Sequence, residues 1–125
     1  MKPELLDNLA TEDLLADALL SHYATTHGRA RPEVASVIVD YFSQRDRDLD
    51  DDRRQQFRTS SDILHYYCEA FEQPPASILA TIIVEFARND SDFDQRQFLQ
   101  DHGRPEFRAA LRDRGFATTI ETSNP

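Results

Sequence analysis

The chain has 125 residues, of which 39% are hydrophobic and 30% charged, and its formal net charge is −9. This size and composition predict one globular domain without a disulfide framework, because Cys68 is the only cysteine. No apolar run approaches the roughly 20 residues that span a bilayer, and the surplus of acid disfavours membranes and nucleic acid as partners.

The amino-terminal quarter of the chain is predicted to form two helices. Residues 1–7 lack the basic and apolar regions of a secretory signal, so a cytoplasmic location is expected. Residues 3–10 predict a short helix, and Thr11, which is followed by acidic residues, is the expected N-cap of a second. Gly28 ends the second helix in a left-handed cap. The apolar positions of this helix recur every three or four residues, at Leu15, Leu19 and Tyr23.

A third helix and a highly charged connection follow. Pro32 suits the first turn of a helix, where a missing N–H has no cost. The apolar face of this helix comprises Val34, Val37, Ile38, Tyr41 and Phe42. Residues 44–54 contain five Asp and four Arg, so they predict a charge-balanced loop that passes into a helix start near Asp50.

Another helix is predicted after Thr59. Thr59 and Asp62 have the spacing of a weakened capping box. The predicted inner face of the helix comprises Ile63, Leu64, Tyr67, Ala70 and Phe71. Its outer face comprises Asp62, His65, Glu69 and Glu72.

Residues 76–87 are the most continuously apolar stretch of the chain, and the fold is predicted to be organised around them. Pro74 and Pro75 suit a helix start, and the resulting helix would be apolar on nearly all sides, which requires neighbours on several of them. A buried strand is the alternative, since the four residues 81–84 are all β-branched, a class that favours strands. Periodicity alone does not distinguish a helix from a strand in so short an apolar run.

The carboxy-terminal part is predicted to add two short helices. Ser91 is the expected cap of the first, Gly103 its end, and Pro105 the start of the second. Residues 117–125 lack apolar periodicity and predict a flexible tail. The predicted fold is therefore a compact all-α domain over residues 1–116, with five to seven helices around a buried helix at 76–87.

One helical face has the spacing of a metal site. Asp62, His65 and Glu69 fall on one side of a helix, and Asp-x-x-His is half of the carboxylate–histidine pattern found in metal-binding bundles. No second such pair occurs in the sequence, so the outer face of an amphipathic helix is the preferred interpretation and neither a metal nor a cofactor is expected. The chain also lacks glycine-rich phosphate loops and nucleophile motifs, which predicts a protein without catalysis.

Residues 20–39 resemble the helix-turn-helix motif. Gly28 occupies the place of the turn glycine, and Val34 and Val37 follow it by six and nine residues, as the apolar positions of the motif do.

The resemblance implies a DNA-binding regulator that would use Arg29, Arg31 and Ser36. The chain departs from the motif in three respects. His27 occupies a position that is usually apolar. Arg29 stands where the motif has an apolar residue, and the reading helix carries Glu33 and Asp40 where cations or amides would contact DNA.

The last predicted helix carries a ladder of arginines. Arg104, Arg108 and Arg112 are spaced by four residues, so their guanidinium groups would follow one edge of the helix. Such a row can bind carboxylates or phosphates on a partner, or it can be solvated or paired within the protein.

Two acidic regions account for most of the negative charge. Residues 1–28 contain five carboxylates against one Lys, and residues 59–87 contain four carboxylates without Lys or Arg, so each region has a net charge of −4. Negative surfaces favour encounter with basic ones. The residues expected to contact a basic partner are Asp13, Asp17, Asp62, Glu69 and Glu72.

The leading functional hypothesis is a small non-catalytic interaction protein, that is, an inhibitor, adaptor or accessory subunit. Its partner would be a protein with a basic surface, such as a nucleic-acid-binding protein. An antagonist encoded by a phage or plasmid is one specific form. The helix-turn-helix regulator is the alternative.

Overall fold

In the computed structural model the backbone is described for residues 3–113 and 116, and side chains are described for residues 13–113 and 116. This part of the chain forms seven helices and no strand, in the order α1 (Pro3–His27), α2 (Arg31–Arg45), α3 (Asp51–Gln56), α4 (Ser60–Phe71), α5 (Pro75–Asn89), α6 (Gln95–His102) and α7 (Pro105–Asp113). The predicted all-α architecture is confirmed. The tail predicted at 117–125 lies outside the described residues. None of the described helices is long and apolar enough to cross a membrane.

Helix α5 forms as predicted and lies between α1, α2 and α4. Pro74 is its N-cap residue and Pro75 its first residue. Its buried side chains are Ile78, Ala80, Ile82, Ile83, Val84 and Ala87. Thr81 and Arg88 are exposed. Fully burying an isoleucine stabilises a fold by roughly 1.5–3 kcal/mol, so α5 is a major source of stability.

Helix α1 differs from the prediction because it is continuous over 25 residues. The expected boundary at Thr11 is wrong: residues 8–12 contain neither Gly nor Pro, so nothing in the sequence stops the first segment from continuing into the second. Leu15 and Leu19 are fully buried, as predicted. Since α1 packs against α2, α5, α6 and α7, it shares the central position that the sequence assigned to α5 alone.

Most of the predicted helix ends are correct. Thr59 and Asp62 form the reciprocal capping box, and Gly28 and Gly103 both adopt the positive φ of a left-handed cap. Ser91 was the wrong cap for α6, because the side chain of Asp94 accepts the hydrogen bond from the N–H of Gln97. An aspartate closer to the first turn thus takes the capping role.

The inner face of α4 is shorter than predicted. Ile63 and Tyr67 are buried, but Ala70 and Phe71 are exposed, Phe71 by 61%. The ring of Phe71 stacks on that of Tyr67, one turn earlier on the same helix, and most of its surface stays exposed.

The short helix α3 buries none of its residues and is tied to the end of α2 through Arg54. Its Nε donates to the carbonyl oxygen of Ser43 at 3.1 Å, and its Nη2 donates to that of Asp46 at 2.7 Å. One guanidinium therefore adds a second hydrogen bond to two carbonyl groups at the end of α2, which also accept the backbone N–H groups of Asp46 and Leu49.

Candidate functional site

A shallow groove runs between the middle of α1 and the first half of α5, with a volume of about 310 Å³. We call it the acidic groove. Apolar side chains that also belong to the core or pack against it form its floor: Leu20, Leu79, Ala80 and Ile83. Ala16 and Ala76 also line it, and their short side chains keep the space between the two helices open.

Asp13 and Asp17, both predicted to contact a partner, line the α1 edge of the acidic groove and are exposed. They are four residues apart, which places them on adjacent turns of one helical face. Among the described side chains, no cation lies within ion-pair distance of Asp13. The site therefore combines an apolar floor with an acidic edge.

Arg31, the first residue of α2, forms an ion pair with Asp17 across the same groove. Both side chains are about half exposed, at 47% for Arg31 and 62% for Asp17. Exposed pairs of this kind contribute about 0.2–1 kcal/mol. The pair therefore serves mainly to neutralise one of the two edge carboxylates and to orient the start of α2.

The acidic residues predicted on α4 are exposed, and Asp62 and Glu69 have local partners. The Asp62 carboxylate accepts the backbone N–H groups of Arg58 and Thr59, and these hydrogen bonds, that from Arg58 foremost, lower its pKa. Glu69 lies 3.4 Å from the ring of His65. Glu72 is the residue that ends α4, with a positive φ of 53°.

The same side of α4 also carries positive charge. Arg53 and Arg58 line a cleft of about 610 Å³ together with Asp62 and Glu69. A basic partner would meet cations there as well as carboxylates. The α4 surface is therefore less suited to it than the acidic groove.

The metal alternative receives no support from the geometry. In the described part of the chain no group of three or more His, Cys, Asp or Glu side chains is placed to hold a metal ion. His65 and Glu69 do approach each other, but the Asp62 carboxylate is turned to the backbone of residues 58 and 59.

The three residues assigned to DNA contact in the helix-turn-helix hypothesis differ in their exposure and in their partners. α1 and α2 do meet at the left-handed Gly28, and Arg29 is exposed at the turn. Arg31, in contrast, pairs with Asp17. The carbonyl of Ser36 accepts a hydrogen bond from the hydroxyl of Ser60, so the first turn of α4 lies against the face that would read DNA.

The arginine ladder lies on an exposed edge of α7 and the residue that precedes it. Arg104, Arg108 and Arg112 are exposed, whereas Phe107 and Leu111 are buried where α7 packs on α1. The guanidinium of Arg104 lies 5.8 Å from the ring centroid of Phe107. Arg108 and Arg112 belong to α7, and Arg104 precedes its first residue. Binding of an anion by the three arginines stays a prediction.

The apolar floor of the acidic groove was not foreseen from the sequence. Ala76 and Ala80 are one turn apart on α5 and face Ala16 on α1. Small residues at that spacing indicate either a close approach of two helices or an open surface. The packing of α1 against α5 is needed to show that Asp13 and Asp17 lie next to these alanines.

Comparison with family models, with curated proteins and with solved structures finds no match to this chain. Function is therefore inferred from the residues and their arrangement.

Proposed function

We propose that this protein is a non-catalytic interaction module that binds a basic, amphipathic segment of another protein in the acidic groove. The observation that carries the proposal is the joint presence of an apolar floor and an edge carrying Asp13 and Asp17. Leu79 and Ala76 provide the accessible part of the floor, because Leu20 and Ile83 are buried. Apolar contact would supply the affinity, and the carboxylates would select lysine or arginine beside the apolar residues.

The charge of α1 supports this choice. The sequence of α1 contains five carboxylates, Glu4, Asp7, Glu12, Asp13 and Asp17, and no Lys or Arg. Its field therefore attracts cationic segments, and the attraction is strongest at low ionic strength. The mixed charges around α4 give no comparable field.

The width of the groove supports a helical partner. Ala16, Ala76 and Ala80 leave room for side chains that project from a third helix. An amphipathic helix presents its apolar residues every three or four positions. A helix with leucine on one face and lysine beside it would match both the floor and the edge.

The test uses a fluorescently labelled amphipathic peptide of leucine and lysine, with a leucine–glutamate peptide of the same pattern as a control. Anisotropy at low salt should show saturable binding of the lysine peptide only. Asp13→Asn should weaken binding by about two- to fivefold, as expected for one exposed charge. Glu72→Gln on α4 is the matched control, since it changes the net charge equally.

Filling the groove tests the apolar floor separately. Ala76→Phe should remove detectable binding of the lysine peptide, because Ala76 is exposed at the mouth and the larger ring occupies the space above Leu79. Ala76→Ser is the control and should bind as the parent protein does. Equal losses for Asp13→Asn and Glu72→Gln, or full binding by Ala76→Phe, would show that this groove is not the binding site.

The DNA-binding regulator remains the second candidate, favoured by the left-handed Gly28 between α1 and α2 and by the exposed Arg29. A gel shift with random duplex DNA at low salt tests it. Retarded DNA that is released by the double change Arg29→Ala, Arg31→Ala would support the regulator over the docking module. We expect no retardation, because the adjacent Glu33 and Asp40 repel phosphates.

A further inference from the structure

A second cavity lies where the end of α1, the outer side of α2 and Phe86 of α5 meet, with a volume of about 440 Å³. We call it the aromatic pocket. Its lining includes Tyr23, His27, Arg29, Val37, Ile38 and Phe86. Its size falls within the range of about 300–1,000 Å³ that is typical of small-molecule sites.

The walls of the aromatic pocket are apolar and fixed. Tyr23 and Ile38 are buried, and the Tyr23 ring meets that of Phe86 edge-on, with 5.3 Å between centroids. The Tyr23 hydroxyl donates to Asp90 at 2.8 Å, which holds the ring in place and occupies that carboxylate.

Val37 is 52% exposed at this pocket. Folding therefore leaves about half of a large apolar side chain in water beside an apolar cavity. A bound molecule that covers Val37 would remove this apolar surface from water, which favours binding.

Arg29 supplies a positive charge at the same pocket, and it has no acidic partner among the described side chains. Arg31, Arg54 and Arg88 each pair with a carboxylate, whereas no described acidic side chain pairs with the guanidinium of Arg29. The imidazole of His27, stacked parallel to the Tyr23 ring, also lines the pocket. An unpaired guanidinium next to apolar walls is suited to a carboxylate attached to an apolar body.

We propose that the aromatic pocket binds a small monocarboxylate whose charge pairs with Arg29 and whose apolar body packs between Val37 and Phe86. The pocket is separate from the acidic groove, so this inference does not depend on the docking function. A small molecule is favoured over a protein segment because the positive charge at the pocket is concentrated at one position, Arg29, beside apolar side chains.

The probe is 2-naphthoate, an aromatic monocarboxylate, compared with the uncharged 2-naphthylmethanol. Because the chain contains no Trp, the anisotropy of the naphthyl fluorescence reports binding directly. We expect saturable binding, about tenfold tighter for the carboxylate than for the alcohol, which lacks the charge-assisted hydrogen bonds to Arg29. Methyl signals of Val37 and Ile38 should shift in carbon–proton NMR spectra.

Two substitutions with matched controls locate the site. Arg29→Gln should weaken 2-naphthoate binding about tenfold, whereas Arg96→Gln on the exposed side of α6 should not change it. Val37→Asp places a negative charge against the ligand and should abolish binding. Phe71→Asp, at an equally exposed apolar position of α4, should leave it unchanged, as should Asp13→Asn in the acidic groove.

Three results would overturn the proposal. The first is equal affinity for 2-naphthoate and 2-naphthylmethanol, which would remove the role of Arg29. The second is unchanged binding by Arg29→Gln and by Val37→Asp, each checked for an intact fold by circular dichroism. The third is a set of methyl shifts at Ile83 in the acidic groove and none at Val37.

Discussion

The imidazole of His22 meets the ring of Phe98 edge-on, with 5.7 Å between the centroids and 85° between the planes. Phe93 packs on the imidazole in the same manner, at 5.6 Å and 89°. His22 is only 8% exposed. A titratable ring thus stands where α1 meets the aromatic residues of the carboxy-terminal helices.

This environment makes the stability of the fold pH-dependent. Burial lowers the pKa of His22 below its ordinary value of 6.5, with Asp101 as the main opposing influence. Since the unfolded chain then binds a proton more readily than the folded one, the contribution is full above pH 6.5 and is lost as the pH falls from there towards the lower folded pKa. Urea denaturation should show a falling free energy of unfolding between about pH 7.5 and about pH 5.

His22→Phe is the informative control, because it keeps an aromatic ring at this position without a titratable group. The variant should lose much of the pH dependence in that window. A pH dependence equal to that of the parent protein would show that another group is responsible.

The core role of α5 predicts a large effect at Ile82, which is 2% exposed. Ile82→Ala should lower the free energy of unfolding by about 2–5 kcal/mol, because the removed methyl groups leave a cavity. Thr81→Ala, at the exposed neighbouring position, should change it by less than about 0.5 kcal/mol. Chemical denaturation measures both, and similar values for the two variants would contradict the burial of α5.

The capping box of α4 predicts a smaller effect. Thr59→Ala removes the side-chain oxygen that accepts the N–H of Asp62 and should cost about 1 kcal/mol. Asp62→Ala should also destabilise, and the two changes together should cost less than their sum, because they act on one reciprocal pair. Ser61→Ala, one residue away on the exposed side, serves as the reference.

The ion pair between Arg31 and Asp17 separates the two functional candidates. Arg31→Gln removes a cation from the acidic groove, so binding of the leucine–lysine peptide should become about two- to fivefold tighter. A DNA-binding regulator would instead bind its duplex more weakly after the same change. Loss of peptide binding in this variant would contradict the assignment of the acidic groove as a site for cationic segments.

The elements that the sequence predicted well are those with strong local signals. The proline pair before α5, the Thr59–Asp62 spacing and Gly28 each act within one helical turn, so their outcome depends little on the rest of the fold. The false boundary at Thr11 shows the converse, since a cap residue does not start a helix where the preceding segment is able to continue.

The candidate sites depend on contacts between helices that are distant in the sequence. The sequence therefore predicted only some of their residues. Asp13 and Asp17 were predicted as acidic contacts from charge alone. Their position beside Leu79 and Ile83 follows from the crossing of α1 and α5, which no local pattern encodes. Val37 was expected on the apolar side of α2 and is instead half exposed at the aromatic pocket, again because helix packing decides which part of an apolar stripe is covered.

The attachment of α3 through Arg54 couples the local unfolding of α3 to that of the last turn of α2. A helix of six residues is far below the roughly 12–15 needed for independent stability, so α3 depends on its attachments. These are the Asp50 N-cap, the packing of Phe57 against the core and the hydrogen bonds from Arg54 to the carbonyls of Ser43 and Asp46. Amide hydrogen exchange in α3 and in the last turn of α2 should therefore proceed at matched rates. Arg54→Lys, whose ammonium group is unable to bridge both carbonyls, should accelerate exchange in both segments while the amides of α5 keep their protection.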